Sequence, residues 1–365
     1  MSQLFTPIKL GPVTIPNRII IAPMCQYSAI DGKTTEWHAM HLGQLAVSGA
    51  GLLIVEATAV EPEGRISPQD IGLWNNETEL ALSETIQGIK KYSSMPLGIQ
   101  LAHAGRKASM PAPWISGPAV KPENGGWQPV APSAIAFDSN SAQPEALTKE
   151  RIDSIVASFA HSAKRADKMG FDLIEIHAAH GYLLHQFLSP ISNHREDRYG
   201  GSLENRMRLT LDVFSAIRKV FPANKAVGVR ISASDWVENG WDLEQSLILC
   251  HKLKELGCDY IHVSSGGLSV QQHIPVGPNY QVPFARQIKA KVGMPTIAVG
   301  LITEPEQAEA IIATGEADMV GLARGILYNP RWPWHAAAAL GAQVTAPKQY
   351  WRSQPHMVKN LFSDR

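Results

Sequence analysis

Short apolar runs alternate with longer amphipathic stretches along the whole chain, and no other feature narrows the possible folds as much. The runs at 18–24, 51–55, 97–101, 171–177, 226–231, 260–264, 296–299 and 319–322 read as strands. Helical patterns lie between and after them, at 37–48, 77–92, 149–169, 203–220, 243–256, 283–291, 305–314 and 332–340. Strands that are apolar throughout belong to a parallel sheet covered on both faces. Eight such units in 365 residues predict an α/β fold, a (β/α)8 TIM barrel, rather than an open doubly wound sheet. Thr148 and Thr303 stand where helix N-caps are wanted. Gly170, Gly257 and Gly315 stand where helices close in a left-handed turn.

Polar residues fall at the ends of these runs. Cys25 follows the first, Ala57 and Thr58 the second, Gln100 and His103 the third, and His177 and His180 the fourth. Arg230 closes the fifth, Ser264 and Ser265 the sixth; Gly300 follows the seventh and Arg324 the eighth. Barrel enzymes keep their chemistry at that C-terminal end. Residues 1–365 are therefore read as one barrel, with a lid excursion at about 104–147 and a C-terminal tail at about 341–365. The excursion carries Trp114, Trp127 and several prolines, which suits a packed roof with a short hairpin.

Composition excludes several classes. Net charge is zero with no basic stripe, so nucleic acid is not an expected partner. No apolar run is long enough to cross a bilayer, and the first residues lack the pattern of a signal peptide. Three cysteines, Cys25, Cys250 and Cys258, do not make a disulfide framework and suit a reducing, cytoplasmic setting.

The segment from Phe171 to Tyr182 carries the sharpest functional signal. A buried run ends in His177, His180 and Tyr182, three groups that hydrogen-bond or carry protons. One histidine at a strand end is commonly structural; two of them three residues apart, with a tyrosine two further on, point to a site. Gly300 and Arg324 lie where barrels bind phosphate, and Arg324 would add a charged bond there. Arg230 keeps its proton and would stabilise negative charge beneath a ring system. Each arginine alone is equally well read as a salt bridge. Together they suggest a phosphorylated, electron-accepting cofactor, FMN.

The chain resembles the Old Yellow Enzyme family of flavin-dependent ene-reductases, in its bacterial, thermophilic-like class. The resemblance rests on Ala22-Pro-Met-Cys25-Gln-Tyr27-Ser, Glu56-Ala57-Thr-Ala-Val60, Gly98-Ile-Gln100 through Lys107, Ile174-Glu-Ile-His177 through Tyr182, and the loop from Ser192 to Arg206. It implies FMN against Ala22, Pro23, Met24 and Cys25, with Ala57 lining the ring. Gln100 and Arg230 would reach the pyrimidine edge, and Gly300, Ala323 and Arg324 the phosphate. The family often has glycine where Ala323 stands, a difference that bears on the phosphate end. His177 and His180 would hold a substrate carbonyl, Tyr182 would donate the proton, Tyr27 would contact the substrate, and Cys25 would modulate the flavin. The resemblance also implies NADPH or NADH as electron donor, enone or enal substrates, and a homodimer or homotetramer in which Arg352 enters a neighbour's site. The rival reading from the residues is a metal-dependent barrel hydrolase using His177 and His180, which would need further ligands at other strand ends. The expectation is no metal site.

Overall fold

The computed structural model describes residues 2–364. The chain opens with a hairpin, β1 (Ile8–Leu10) and β2 (Val13–Ile15), paired antiparallel. Strands β3 (Ile19–Ile21), β4 (Leu52–Ala59) and β5 (Leu97–Ala102) follow. After the short pair β6 (Val130–Ala131) and β7 (Glu145–Ala146) come β8 (Leu173–Ala178), β9 (Ala226–Ser232), β10 (Tyr260–Ser264), β11 (Thr296–Val299) and β12 (Met319–Leu322). The tail adds β13 (Val344–Thr345) and β14 (Phe362–Ser363). Strands β3, β4, β5 and β8 to β12 close a parallel barrel, as the alternation of runs predicts.

The helices are α1 (Glu36–Ala46), α2 (Asn76–Lys90), α3 (Lys149–Lys168), α4 (Leu183–Leu188), α5 (Leu203–Val220), α6 (Leu243–Glu255), α7 (Val282–Val292), α8 (Pro305–Ala313), α9 (Arg324–Tyr328) and α10 (Trp332–Ala339). Thr148 caps α3 by accepting from the Arg151 amide. The expected cap at Thr303 is displaced by one residue: Glu304 caps α8 in a reciprocal box with Gln307, whose longer side chain reaches back to the cap. Gly170, Gly257 and Gly315 have φ of +78°, +87° and +76° just past their helices, the closing role expected.

Two periodicities sort the core. Outward strand residues such as Ile99, Ile174, Val229 and Ile261 pack against the helices in one large cluster. Inward residues at the strand starts, among them Ile20, Leu52, Leu173, Tyr260 and Met319, form a second cluster with Leu10 and Ile15 of the hairpin. The hairpin thus floors the barrel. One step further along the strands the inward positions turn polar, at Gln100, Glu175, Arg230 and His262, since alternate residues share a face.

The excursion differs from the expected hairpin. β6 and β7 pair parallel, because the chain between them loops back and re-enters in the same direction. Its tryptophans make contacts outside the excursion: Trp127 donates to the Glu63 carbonyl at 2.8 Å and lies under Arg65. Trp114 meets the edge of Tyr27 with ring centres 5.7 Å apart.

Candidate active site

The end of β8 and the turn after it set the centre of the site. His177 is the penultimate residue of β8 and pairs in register with Arg230 on β9. The chain then turns through His180, whose φ of +57° is a left-handed conformation that costs energy for a side chain with Cβ. That turn is pinned from both sides. The His180 amide donates to Ser232 Oγ at 2.9 Å, and Lys107 Nζ donates to the His180 carbonyl at 2.9 Å and the Gly267 carbonyl at 3.0 Å. The imidazoles of His177 and His180 lie 5.2 Å apart edge to face, and the Tyr182 ring lies 5.0 Å from His177. The three predicted residues are therefore one cluster.

Their surroundings keep all three uncharged. Burial, followed by the Arg230 charge, pushes both histidines well below their ordinary range. Burial raises the Tyr182 phenol well above its ordinary value. His177 Nδ1 accepts weakly from the Ala179 amide at 3.4 Å, which leaves its Nε2 to carry the proton. The site thus presents neutral N–H and O–H donors.

Arg230 stands beside His177 on the neighbouring strand, 7% exposed, with its Nε buried and unpartnered. Arg230, Gly300, Ala323 and Arg324 line one cavity of about 160 Å³ together with Tyr280 and Gln281. Gly300 has φ +127°, and a Cβ there would come within 2.8 Å of Gln281 Nε2 and 2.9 Å of the Tyr280 ring. Arg324 is exposed and forms no ion pair with the described residues. A cradle kept open by glycine, a free arginine at one end and an orphaned buried guanidinium N–H at the other fit a long anionic ring cofactor.

Ala22 continues β3 by donating to the Leu322 carbonyl at 2.9 Å, and it leads Pro23, Met24 and Cys25 across the mouth. Burial, with Asp70 and Glu56 nearby, raises the Cys25 thiol well above its ordinary value, so this cysteine is not a thiolate. Tyr27 follows in a left-handed turn, φ +49°. Ala57 comes after a bulge in β4, where the register slips between Val55 and Ala57; that bulge extends the strand beyond the predicted end at 55. Gln100 is buried on β5 and donates from Nε2 to Glu175 at 2.7 Å.

Arg352 is not brought to these residues within one chain. It lies exposed in the turn Lys348–Ser353. The tail around it packs on Trp334, Ala337 and Val344 and reaches Gly49, at the end where the strands begin. Lys107, Ser264, Glu175 and His262 have places in the site that the sequence reading did not assign. The odd acid in Leu173-Ile-Glu175-Ile and the histidine in Tyr260-Ile-His262 were the available signals, charges inside otherwise buried strands. For the hydrolase alternative, His177 and His180 find no third ligand: no set of three His, Cys, Asp or Glu converges among the described residues, and Arg230 is their neighbour.

A closed barrel with this mouth defines a flavin-dependent oxidoreductase. The chain belongs to the NADH:flavin oxidoreductase / NADH oxidase family, whose model matches residues 3–343. It is an enzyme of the Old Yellow Enzyme kind, with FMN as its cofactor and a nicotinamide as electron donor. It is 47% identical to the NADPH dehydrogenase of Listeria innocua over 355 residues, 97% of this chain and 99% of the relative. It is 45% identical to the NADPH dehydrogenase of Geobacillus thermodenitrificans over 351 residues, 96% and 98% of the two chains. Morphinone reductase in complex with tetrahydroNAD superposes with a TM-score of 0.78 at 28% identity, covering 100% of this chain and 99% of the other. No described helix is long and apolar enough to cross a membrane.

Proposed function

We propose that this protein reduces the activated C=C bond of α,β-unsaturated carbonyl compounds, and of nitroalkenes, at the expense of NADPH or NADH. The reading rests above all on the cluster of His177, His180 and Tyr182, three neutral donors beside the buried Arg230. FMN, when bound, would supply the redox chemistry, the relay of a hydride equivalent from the nicotinamide to the substrate β-carbon.

The protein's own residues do the rest. Ala22, Pro23, Met24, Cys25 and Ala57 would hold the ring, Gln100 and Arg230 its pyrimidine edge, and Gly300, Ala323 and Arg324 the phosphate. A backbone amide serves the phosphate at Ala323 as it would at glycine. His177 and His180 hold the carbonyl oxygen, and their fixed N–H dipoles stabilise the charge that grows there without reorganising. Tyr182 keeps its proton until an enolate forms, and then donates it to the α-carbon. Tyr27 and Trp114 close the substrate side, and Cys25, a buried thiol, adjusts the flavin's environment rather than attacking substrate.

Because the tail packs at the strand-start end of its own barrel, Arg352 serves a mouth only in a neighbouring copy. A homodimer or homotetramer with composite sites follows from that reading. The three free cysteines accord with a reducing, cytoplasmic setting.

The test is direct. The purified protein should be yellow, bleach anaerobically on addition of NADPH or NADH, and regain its colour on addition of 2-cyclohexen-1-one with saturated ketone as product. A protein that bleaches but is reoxidised only by oxygen or quinones would overturn the alkene reading while leaving the flavin in place.

A further inference from the structure

One sealed and charged cluster in the barrel lies outside the roles assigned so far, and it centres on Glu175. Its side chain is fully buried. Oε1 accepts from Gln100 Nε2 at 2.7 Å, while Oε2 accepts from His262 Nδ1 at 2.9 Å and from the Tyr260 hydroxyl at 3.4 Å. The strand register assembles this set: Gln100 faces Glu175, Glu175 faces Gly228, and Gly228 faces Tyr260. A side chain at 228 would meet the Tyr260 ring at 2.3 Å, so bare backbone there is what lets the ring lie across toward the carboxylate.

The cluster holds one negative charge. Burial alone would raise the Glu175 carboxyl, but the Arg230 charge and the hydrogen bonds from His262 and Gln100 outweigh it and hold it below its ordinary value. Burial and the Arg230 charge lower His262, which is therefore a neutral imidazole donating from Nδ1. Its Nε2 is buried without a partner. A buried carboxylate is costly unless paired, and its charge partner is Arg230, which has no hydrogen bond to it. A group kept only for packing would not need that charge.

The bond to Gln100 also has a direction. Since the Gln100 NH2 donates to Glu175, the amide oxygen is the end left for the mouth. The pyrimidine edge of a flavin presents an imide N–H, N3–H, flanked by two carbonyls. An amide oxygen accepts from that N–H; an amide NH2 would oppose it.

We propose that Glu175 is a positioning residue for the cofactor. Its carboxylate locks the Gln100 amide with the oxygen toward the flavin N3–H, and its charge partly offsets Arg230 beneath the same ring. The proposal rests on the placing of Gln100 and Arg230 at the pyrimidine edge. It goes beyond that placing by assigning a residue that never touches the cofactor.

Two substitutions separate the bond from the charge. Glu175→Gln keeps length and loses charge, so the midpoint potential of the bound flavin should move positive, as Arg230 is left unopposed. Glu175→Asp keeps the charge and falls short of Gln100. It should leave the potential near that of the parent protein and weaken FMN binding about tenfold, the scale of one hydrogen bond to a charged group. FMN affinity is read by titrating FMN into flavin-free protein, and the potential by dye equilibration. On a Gln100→Ala background, Glu175→Asp should weaken FMN no further. An unchanged potential in Glu175→Gln, or a full tenfold loss from Glu175→Asp on the Gln100→Ala background, overturns the proposal. Should Glu175→Gln not fold, the Glu175→Asp comparison decides alone. Gln100→Ala with unaltered FMN affinity would instead bring down the placing of Gln100 at the ring.

Discussion

His180 Nε2 lies 2.7 Å from Ser264 Oγ, so the proton on this imidazole is shared out by a serine on the next strand but one. For His180 to donate to a substrate from Nδ1, Ser264 must donate to Nε2. The serine also lies 3.3 Å from Gln281 Oε1, a competing acceptor. Replacing Ser264 by Ala frees the tautomer. Turnover of an enone should fall about tenfold, the value of one hydrogen bond, while flavin reduction by the nicotinamide is kept. Steady-state rates beside anaerobic stopped-flow reduction would check this; equal loss in both steps would show damage to the cofactor site instead.

Removal of His177 or His180 themselves should cost more. Each →Ala variant loses one donor to the growing negative charge, a change worth about 10²–10³-fold in rate. The same variants should bind a para-substituted phenol, a mimic of the enolate oxygen, more weakly, as read from its charge-transfer band.

Tyr182→Phe should slow only the oxidative half-reaction. The ring packs 5.0 Å from His177 and lies under Lys107 Nζ at 5.1 Å, contacts that phenylalanine keeps. Nicotinamide oxidation needs no proton from this group. Stopped-flow traces in which both half-reactions slow together would show that the hydroxyl serves binding instead.

Glu56 makes an alkaline limb in the stability profile, and His38 an acid one. They lie 3.5 Å apart, yet burial raises Glu56 from 4.5 to about 8 and lowers His38 from 6.5 to about 4, so at neutral pH this is a contact between neutral groups. A carboxyl raised on folding stabilises fully below about pH 4.5, and that contribution is lost as pH rises through about 8. Glu56→Gln should flatten the fall in Tm across that window. His38 has the opposite sign: its contribution is present above pH 6.5 and lost as pH falls through about 4, and this acid limb should persist in the variant. An alkaline slope unchanged by Glu56→Gln would contradict the assignment.

Arg352→Ala should raise the KM for substrate or nicotinamide with FMN still bound. Arginine suits a shared mouth because it stays charged and bonds two acceptors at once. Mixing this variant with Tyr182→Phe should form hybrid oligomers in which one composite site carries both defects and another carries neither, restoring part of the activity. A monomer in solution with silent Arg352→Ala would sink the composite site.

The barrel was legible because its outward strand faces are apolar almost without interruption, so period and length alone placed β10, β11 and β12 at their observed bounds. Boundaries moved where a local device intervened: the bulge at Val55–Ala57 carried β4 four residues beyond its apolar run. The parallel pairing of β6 with β7 was hidden because two-residue strands have no periodicity to read. In the site, His177, His180 and Tyr182 were visible as neighbours in sequence. Glu175, His262 and Lys107 were not assigned, since their partners arrive from other strands and loops, and only the register of β5 on β8 brings Gln100 beside Glu175.

The floor made by the hairpin has a consequence for how the interior responds to salt. Leu10 and Ile15 stopper the strand-start end, and Tyr260 belongs both to that stopper and to the charged cluster above it. Glu175, His262 and Arg230 are all buried, so dissolved ions do not come between them. Screening that weakens ion pairs on the surface therefore reaches this set far less, and its field at the mouth varies little with ionic strength.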